Sequence, residues 1–223
     1  MKNIIIVYHG IGNKDKFMQV EICEFKKQVN HIITSNFKVC FLEEVLVNKK
    51  GKNICIMFDD GLESSKLAIE WLEKKKIKYN LAIVENFINQ QGYLTLEYIK
   101  SLKYARIYFH TKNHKKLNCL DLEKLKEEIT CNSDVFRKGI IVYPQGLYDY
   151  SIFEILKEHE YKYGLTVNPY HMSKKNKNYE IPRICINGFL KFWKFKLFLS
   201  KTGNIYLHLA VLKRKMLKQN MLK

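Results

Sequence analysis

Asn53-Ile54-Cys55-Ile56-Met57-Phe58-Asp59-Asp60-Gly61 is a short apolar stretch rich in β-formers that ends abruptly on two carboxylates and a glycine. The pattern predicts a buried parallel strand that delivers Asp59 and Asp60 to its C-terminal edge, where Gly61 permits a tight turn. Adjacent carboxylates at a strand end are costly to bury unless positive charge sits beside them. A metal ion, a proton shared for catalysis, or both would meet that cost. A strand followed by an ordinary Asp-Asp-Gly turn is the plainer alternative, and these residues alone leave both open.

On either side of this stretch, apolar runs of strand length alternate with segments of helical spacing. Residues 4–7 predict a strand that stops at Tyr8-His9-Gly10. Residues 17–33 carry apolar side chains at helical spacing and predict a helix. Residues 37–42 predict a strand, and residues 43–48 fit either state. Further strands are expected over 79–84, 106–109, 139–143 and 163–167. Helices are expected from Ser64, from a Thr95 cap to Leu102, over 121–129 and over 151–159. Strands and helices that alternate this regularly imply an α/β fold with a parallel sheet or barrel.

A chain of 223 residues suits one sizeable core. With no linker or repeat, residues 1–187 read as one domain, and residues 188–223 as a basic amphipathic tail packed on it. The cysteines include no C-x-x-C pair and read as reduced side chains of an intracellular protein. The N-terminal apolar run is too short for a signal peptide, and no run approaches a bilayer span, so a cytoplasmic location is expected. A net charge of +17 raises the question of nucleic acid. Lysine far outnumbers arginine, however, and is scattered among Asn and Ile with no basic-aromatic recognition motif, so no nucleic-acid partner is expected.

Three predicted strand ends carry unusual residues: Asp59-Asp60, His110-x-x-x-His114 and Tyr143-Pro144-x-Gly146. Two histidines at that spacing can meet on one side of a helical turn and offer both imidazoles to one ion. With an Asp from a neighbouring strand end they make a His-His-Asp site with open coordination positions. Catalytic zinc needs open positions and structural zinc avoids them.

Phe58-Asp59-Asp60-Gly61, His110-Thr111-Lys112-Asn113-His114 and Tyr143-Pro144-Gln145-Gly146, in that order, resemble the polysaccharide deacetylases of the NodB-like, carbohydrate esterase family 4 type. Val7-Tyr8-His9 and Ile181-Pro182-Arg183-Ile184 are similar to the branch that contains the biofilm poly-N-acetylglucosamine deacetylases. The resemblance covers residues 4–186 of this chain. It implies a distorted (β/α) barrel and a metal-dependent hydrolase that removes N-acetyl groups from an amino-sugar glycan or its precursor. Asp60, His110 and His114 would hold a divalent metal, zinc first among the candidates. Asp59 would be the general base, and a backbone N–H near Tyr143 would help stabilise the oxyanion. His9 would protonate the departing amine, with His208 of Tyr206-Leu207-His208 as the alternative. Thr111 would orient the histidine loop, while Tyr143, Pro144 and Gly146 would shape the substrate groove.

The chain also departs from the family pattern. Many members place an arginine before the proline motif to tune the catalytic aspartate, and Val142 stands there. Arg183 is the natural replacement, against the competing reading of a surface arginine at a strand edge. Gln145 replaces a common aromatic. These departures keep open a carbohydrate-binding relative that has lost efficient deacetylation.

No acidic residue follows Glu180, and residues 189–199 interleave bulky apolar with basic side chains. Two readings compete for this tail. One is a final barrel helix packed on the core. The other is a peripheral helix on the anionic inner face of a membrane. His31, His159 and His171 match no motif and read as packing or surface residues.

Overall fold

The computed structural model describes residues 2–12, 17–47, 51–173 and 176–220. The first half of the chain forms β1 (Lys2–Tyr8), β2 (Gly10–Ile11), β3 (Gln19–Val20), α1 (Ile22–Thr34), β4 (Lys38–Val39), α2 (Leu42–Val47), β5 (Lys52–Phe58), α3 (Lys66–Lys75), β6 (Tyr79–Ile83) and α4 (Leu96–Ser101). The second half forms β7 (Ala105–Phe109), α5 (Leu122–Ile129), β8 (Ile140–Val142), α6 (Ile152–Glu158), β9 (Tyr163–Leu165), β10 (Ile184–Cys185), α7 (Phe192–Leu199) and α8 (Gly203–Asn220). The main sheet is parallel and runs β10-β1-β5-β6-β7-β8-β9, with β4 also paired to β5. Its edges are joined by one segment: Ile181 bridges Leu165 of β9, and Ile184 pairs with Ile6 of β1. The sheet thereby curls into a distorted (β/α) barrel.

Period-two alternation sorts the strand residues between two cores. Ile5, Val7, Cys55, Met57, Ala82, Tyr108, Val142 and Leu165 share the inner cluster. Ile4, Ile6, Ile54, Ile56, Phe58, Leu81 and Phe109 pack outward against the helices, where α1 contributes Phe25, Val29 and Ile32. Asp59 continues the row of Cys55 and Met57 and is likewise buried.

The chain differs from expectation in two early segments. Residues 37–42 are not one strand, because pairing ends at Val39 and α2 begins at Leu42. Leu42, Val45 and Leu46 of α2 join the inner cluster, and burying each contributes roughly 1.5–3 kcal/mol. Glu44 accepts the Phe41 N–H at 2.8 Å and caps the helix start. Asparagines of three strands hold α2 in place. Asn80 accepts from Leu42 N at 3.0 Å, Asn3 donates to Val45 O at 3.1 Å, and Asn53 donates to Asn3 at 2.9 Å. Residue 48, at the end of the ambiguous segment, lies outside the described residues.

The helix expected from residue 17 starts only at Ile22. Before it, Gln19–Val20 pairs in parallel with Gly10–Ile11. Gly10 and Gly12 donate to the Met18 and Val20 carbonyls, so this backbone is already engaged outside a helix.

The tail packs on the same barrel. Phe195, Leu199 and Leu207 are buried in the outer core, while Trp193, Ile205, Leu209 and Leu212 are exposed. Of the basic run 211–223, residues 221–223 lie outside the described residues. No helix of the described residues is long and apolar enough to cross a membrane.

Candidate active site

The C-terminal ends of β1, β5, β7 and β8 converge, as they must in a parallel barrel. They bring together His9, the Asp59-Asp60 pair, the His110–His114 loop and the Tyr143–Gly146 turn. Backbone strain gathers at the same place. Asp60 (φ 70°), Thr111 (φ 66°), His114 (φ 60°) and Gln145 (φ 55°) all adopt the left-handed region without being glycine. Such conformations persist only where surrounding structure over-determines them, and they concentrate at functional sites. Gly61 (φ 73°) completes the turn expected after the two carboxylates.

The adjacent carboxylates have different partners. Asp59 is buried and accepts a hydrogen bond from Arg183 Nη1 at 2.8 Å. Arg183 is itself fully buried, with Nε donating to Thr166 O at 2.8 Å, so it is no surface residue. It arrives from the segment just before β10 and supplies the counter-charge that Val142 cannot. Asp60 Oδ1 lies 3.4 Å from both His110 Nε2 and His114 Nε2. It is buried with no hydrogen-bond partner. Burial works against its ionisation, but His110, His9 and His114 outweigh that and hold the carboxyl down at about 2.

The two imidazoles meet by a route other than the one expected. Residues 110–114 form an irregular loop with two left-handed residues, not a helical turn. The rings lie 4.8 Å apart at 75°. His110 Nδ1 lies 2.9 Å from Val142 O, which can only accept, so Nδ1 carries the proton and Nε2 keeps its lone pair for a ligand. Burial pushes the His114 pKa down against the pull of Asp60 and Asp59, favouring the neutral ring. One ligand atom each from Asp60, His110 and His114 falls within 4.8 Å of the others. An orphaned carboxylate oxygen facing two Nε2 atoms fits a divalent cation, and the mixed N and O donor set suits zinc.

His9 is largely buried beside both carboxylates. Burial lowers its pKa, opposed by Asp59 and Asp60, and its Nδ1 has no hydrogen-bond partner. His208 is exposed on α8, near the Tyr170 ring. The resemblance to a late Leu-x-His strand therefore falls on a helix.

The Tyr143–Gly146 stretch forms one wall. Tyr143 is buried and stacks on Tyr148 at 5.4 Å. Gly146 (φ 67°) lies against β9's continuation, where a Cβ would sit 2.5 Å from Val167 N. The Tyr143 N–H is spent on Leu165 O, and the Gly146 and Leu147 N–H groups on the Tyr143 and Pro144 carbonyls. Pro144 has none. That leaves Gln145 as the backbone donor of the turn without a bond among the described residues.

One residue of the site went unnoticed in the sequence. Glu128 of α5 is buried and accepts hydrogen bonds from the His110–His114 loop and from Lys115 just beyond it. Its signal was present: it sits three residues after Leu125 and beside Ile129, on the apolar stripe of α5, where a carboxylate is out of place.

A family model described as polysaccharide deacetylase matches residues 47–164, just over half of the chain. The chain belongs to the polysaccharide deacetylase family. No curated protein matches it. Among solved structures, it is similar to the Streptococcus pyogenes deacetylase PplD in complex with acetate, with a TM-score of 0.77 and 22% identity over 86% of this chain and 95% of that one. It is also similar to BC0361, a polysaccharide deacetylase from Bacillus cereus, with a TM-score of 0.76 and 21% identity over 90% and 69% of the two chains. IcaB from Ammonifex degensii gives a TM-score of 0.72 at 15% identity over 91% of this chain and 97% of its own. These likenesses bear on the fold, and they agree with the NodB-type barrel.

Proposed function

We propose that this protein is a metal-dependent hydrolase that removes N-acetyl groups from an amino-sugar glycan or glycan precursor. The observation that carries the proposal is the buried, unpartnered Asp60 Oδ1 held 3.4 Å from two histidine Nε2 atoms. Asp60, His110 and His114 would hold the ion. When bound, a divalent cation supplies Lewis acidity that polarises the acetamide carbonyl and makes water more acidic. Asp59, free of ligation in this assignment, takes a proton from the attacking water, and Arg183 fixes its orientation. The Gln145 N–H is the donor we assign to the carbonyl oxygen as negative charge develops there. Water oxygen bonds to the carbonyl carbon, the C–N bond breaks, and His9 gives a proton to the departing amine. Burial lowers the His9 pKa, and the two carboxylates beside it pull in the opposite direction. A carbohydrate-binding relative would have no use for a second, unligated carboxylate beside Asp60.

Bound zinc and acetate release, measured on one preparation, test this reading. Wild type should carry about one ion per chain, and Asp60→Ala and His110→Ala should lose it. Acetate release from N-acetylglucosamine oligomers or lipid-linked acceptors should be chelator-sensitive. A reconstituted wild type without stoichiometric metal would sink the proposal. Separately, His9→Ala should lower turnover by about two orders of magnitude or more with metal retained, while His208→Ala should not. The reverse outcome would move the acid to His208.

We further propose a cytoplasmic protein whose tail touches an anionic membrane, on the strength of exposed Trp193, Ile205 and Leu209 on a segment that lacks acidic residues. Deleting the tail would strip Phe195 from the core, so point variants are needed. Trp193→Ala with Ile205→Ser should reduce co-sedimentation with anionic liposomes, and unchanged sedimentation would discard the idea.

A further inference from the structure

The reaction leaves one buried carboxylate without a chemical task. Glu128 Oε1 accepts from Thr111 Oγ1 at 2.8 Å, Asn113 N at 2.8 Å and Lys115 N at 3.1 Å. Its Oε2 accepts from Asn113 Nδ2 at 2.9 Å. Burial raises its pKa, yet the bonds from Asn113, Lys115 and Thr111 outweigh burial and keep it ionised. All four bonds come from residues 111–115, the loop that presents both imidazoles. The network reaches the second of them as well, because Thr111 Oγ1 also accepts the His114 N–H at 3.1 Å.

That loop needs such support. Thr111 and His114 both lie in the left-handed region, which a β-branched or bulky residue enters only under constraint. Asn113 is also tied to Asn86 of the preceding barrel loop at 2.7 Å, so the Glu128 network is anchored on two sides. Three of the four donors converge on one oxygen, Oε1.

We propose that Glu128 is a positioning residue that sets the metal affinity of the site by fixing loop 110–114 in its ligating shape before any ion arrives. The proposal rests on the assignment of Asp60, His110 and His114 as metal ligands. Glu128 touches neither the ion nor the substrate in this role. Without it, ion binding must also order the loop, and the affinity falls by the cost of doing so.

The test compares wild type, Glu128→Ala and Glu128→Gln in two measurements. The first is zinc affinity by competition with a chromophoric chelator. The second is hydrogen exchange at the Asn113 and Lys115 amides in metal-free protein. Glu128→Ala should weaken zinc by about 10–100-fold and speed exchange at both amides. Glu128→Gln keeps Oε1 for three of the donors and should recover most of both losses, which a general loss of stability would not allow. Should Glu128→Ala not fold, Thr111→Val removes the hydroxyl that links Glu128 to His114 and should weaken zinc in the same direction.

Wild-type zinc affinity in folded Glu128→Ala, or in Thr111→Val where that variant stands in, overturns the proposal and leaves the metal site standing. So does a Glu128→Gln as weak as Glu128→Ala. A wild type that binds no divalent ion defeats the ligand assignment itself, and no variant is needed to see it.

Discussion

Asp59→Asn is expected to lower turnover by about two to four orders of magnitude while zinc stays bound at the wild-type level. Asparagine keeps an oxygen that can accept from Arg183 Nη1, the bond that holds Asp59 at 2.8 Å, so the local geometry has reason to survive. What it cannot do is take a proton from water. The neighbouring Asp60 faces the two histidines and is not altered. Acetate release and metal content on one preparation check this. Wild-type turnover in Asp59→Asn would remove Asp59 from the mechanism. Loss of zinc together with turnover would place Asp59 among the ligands instead.

Arg183→Met should destabilise the fold by about 3–5 kcal/mol, because it leaves a buried carboxylate with its counter-charge gone. Arg183 is fully buried, and Asp59 is nearly so. The substitution also orphans the Thr166 carbonyl that Arg183 Nε satisfies. The double variant Arg183→Met with Asp59→Asn removes both charges and should cost less than the sum of the single changes. Urea midpoints of the three variants decide the matter. A wild-type midpoint for Arg183→Met, or strict additivity in the cycle, would mean that the pair contributes little to folding.

The legible parts of this chain were those whose signal is local. The strand of residues 53–58 showed itself by β-formers that stop abruptly at carboxylates, and the barrel by the alternation of such runs with amphipathic segments. The Thr95 cap is equally local: it accepts the Tyr98 N–H three residues on. The rest depended on partners far away in sequence. Helix α2 is six residues long, with two valines, and nothing within it outweighs a strand reading. Its state is decided by Asn3, Asn53 and Asn80 and by an apolar space that exists only once the barrel has closed. Residues 17–20 followed helical spacing by coincidence, and pairing with Gly10–Ile11 overrode it. The histidine spacing was informative about the cluster but not about its backbone, because the left-handed residues are stabilised by Glu128 from another element. Arg183 could be suggested from its place beside Pro182, yet only the closed barrel brings it to Asp59.

That closure has a consequence for the birth of the protein. The Asp59–Arg183 pair joins residues 124 positions apart, and β1 finds its neighbour β10 only after residues 184–185 have been made. A nascent chain can complete β5 through β9 and still lack both the counter-charge for Asp59 and the strand that seals β1. Contacts of such long sequence separation form late and slowly. Until residue 183 leaves the ribosome, the growing polypeptide holds an open sheet edge and an unneutralised aspartate. Competent sites should therefore appear only on nascent chains from which Arg183 and β10 have emerged, with no partial activity from shorter ones.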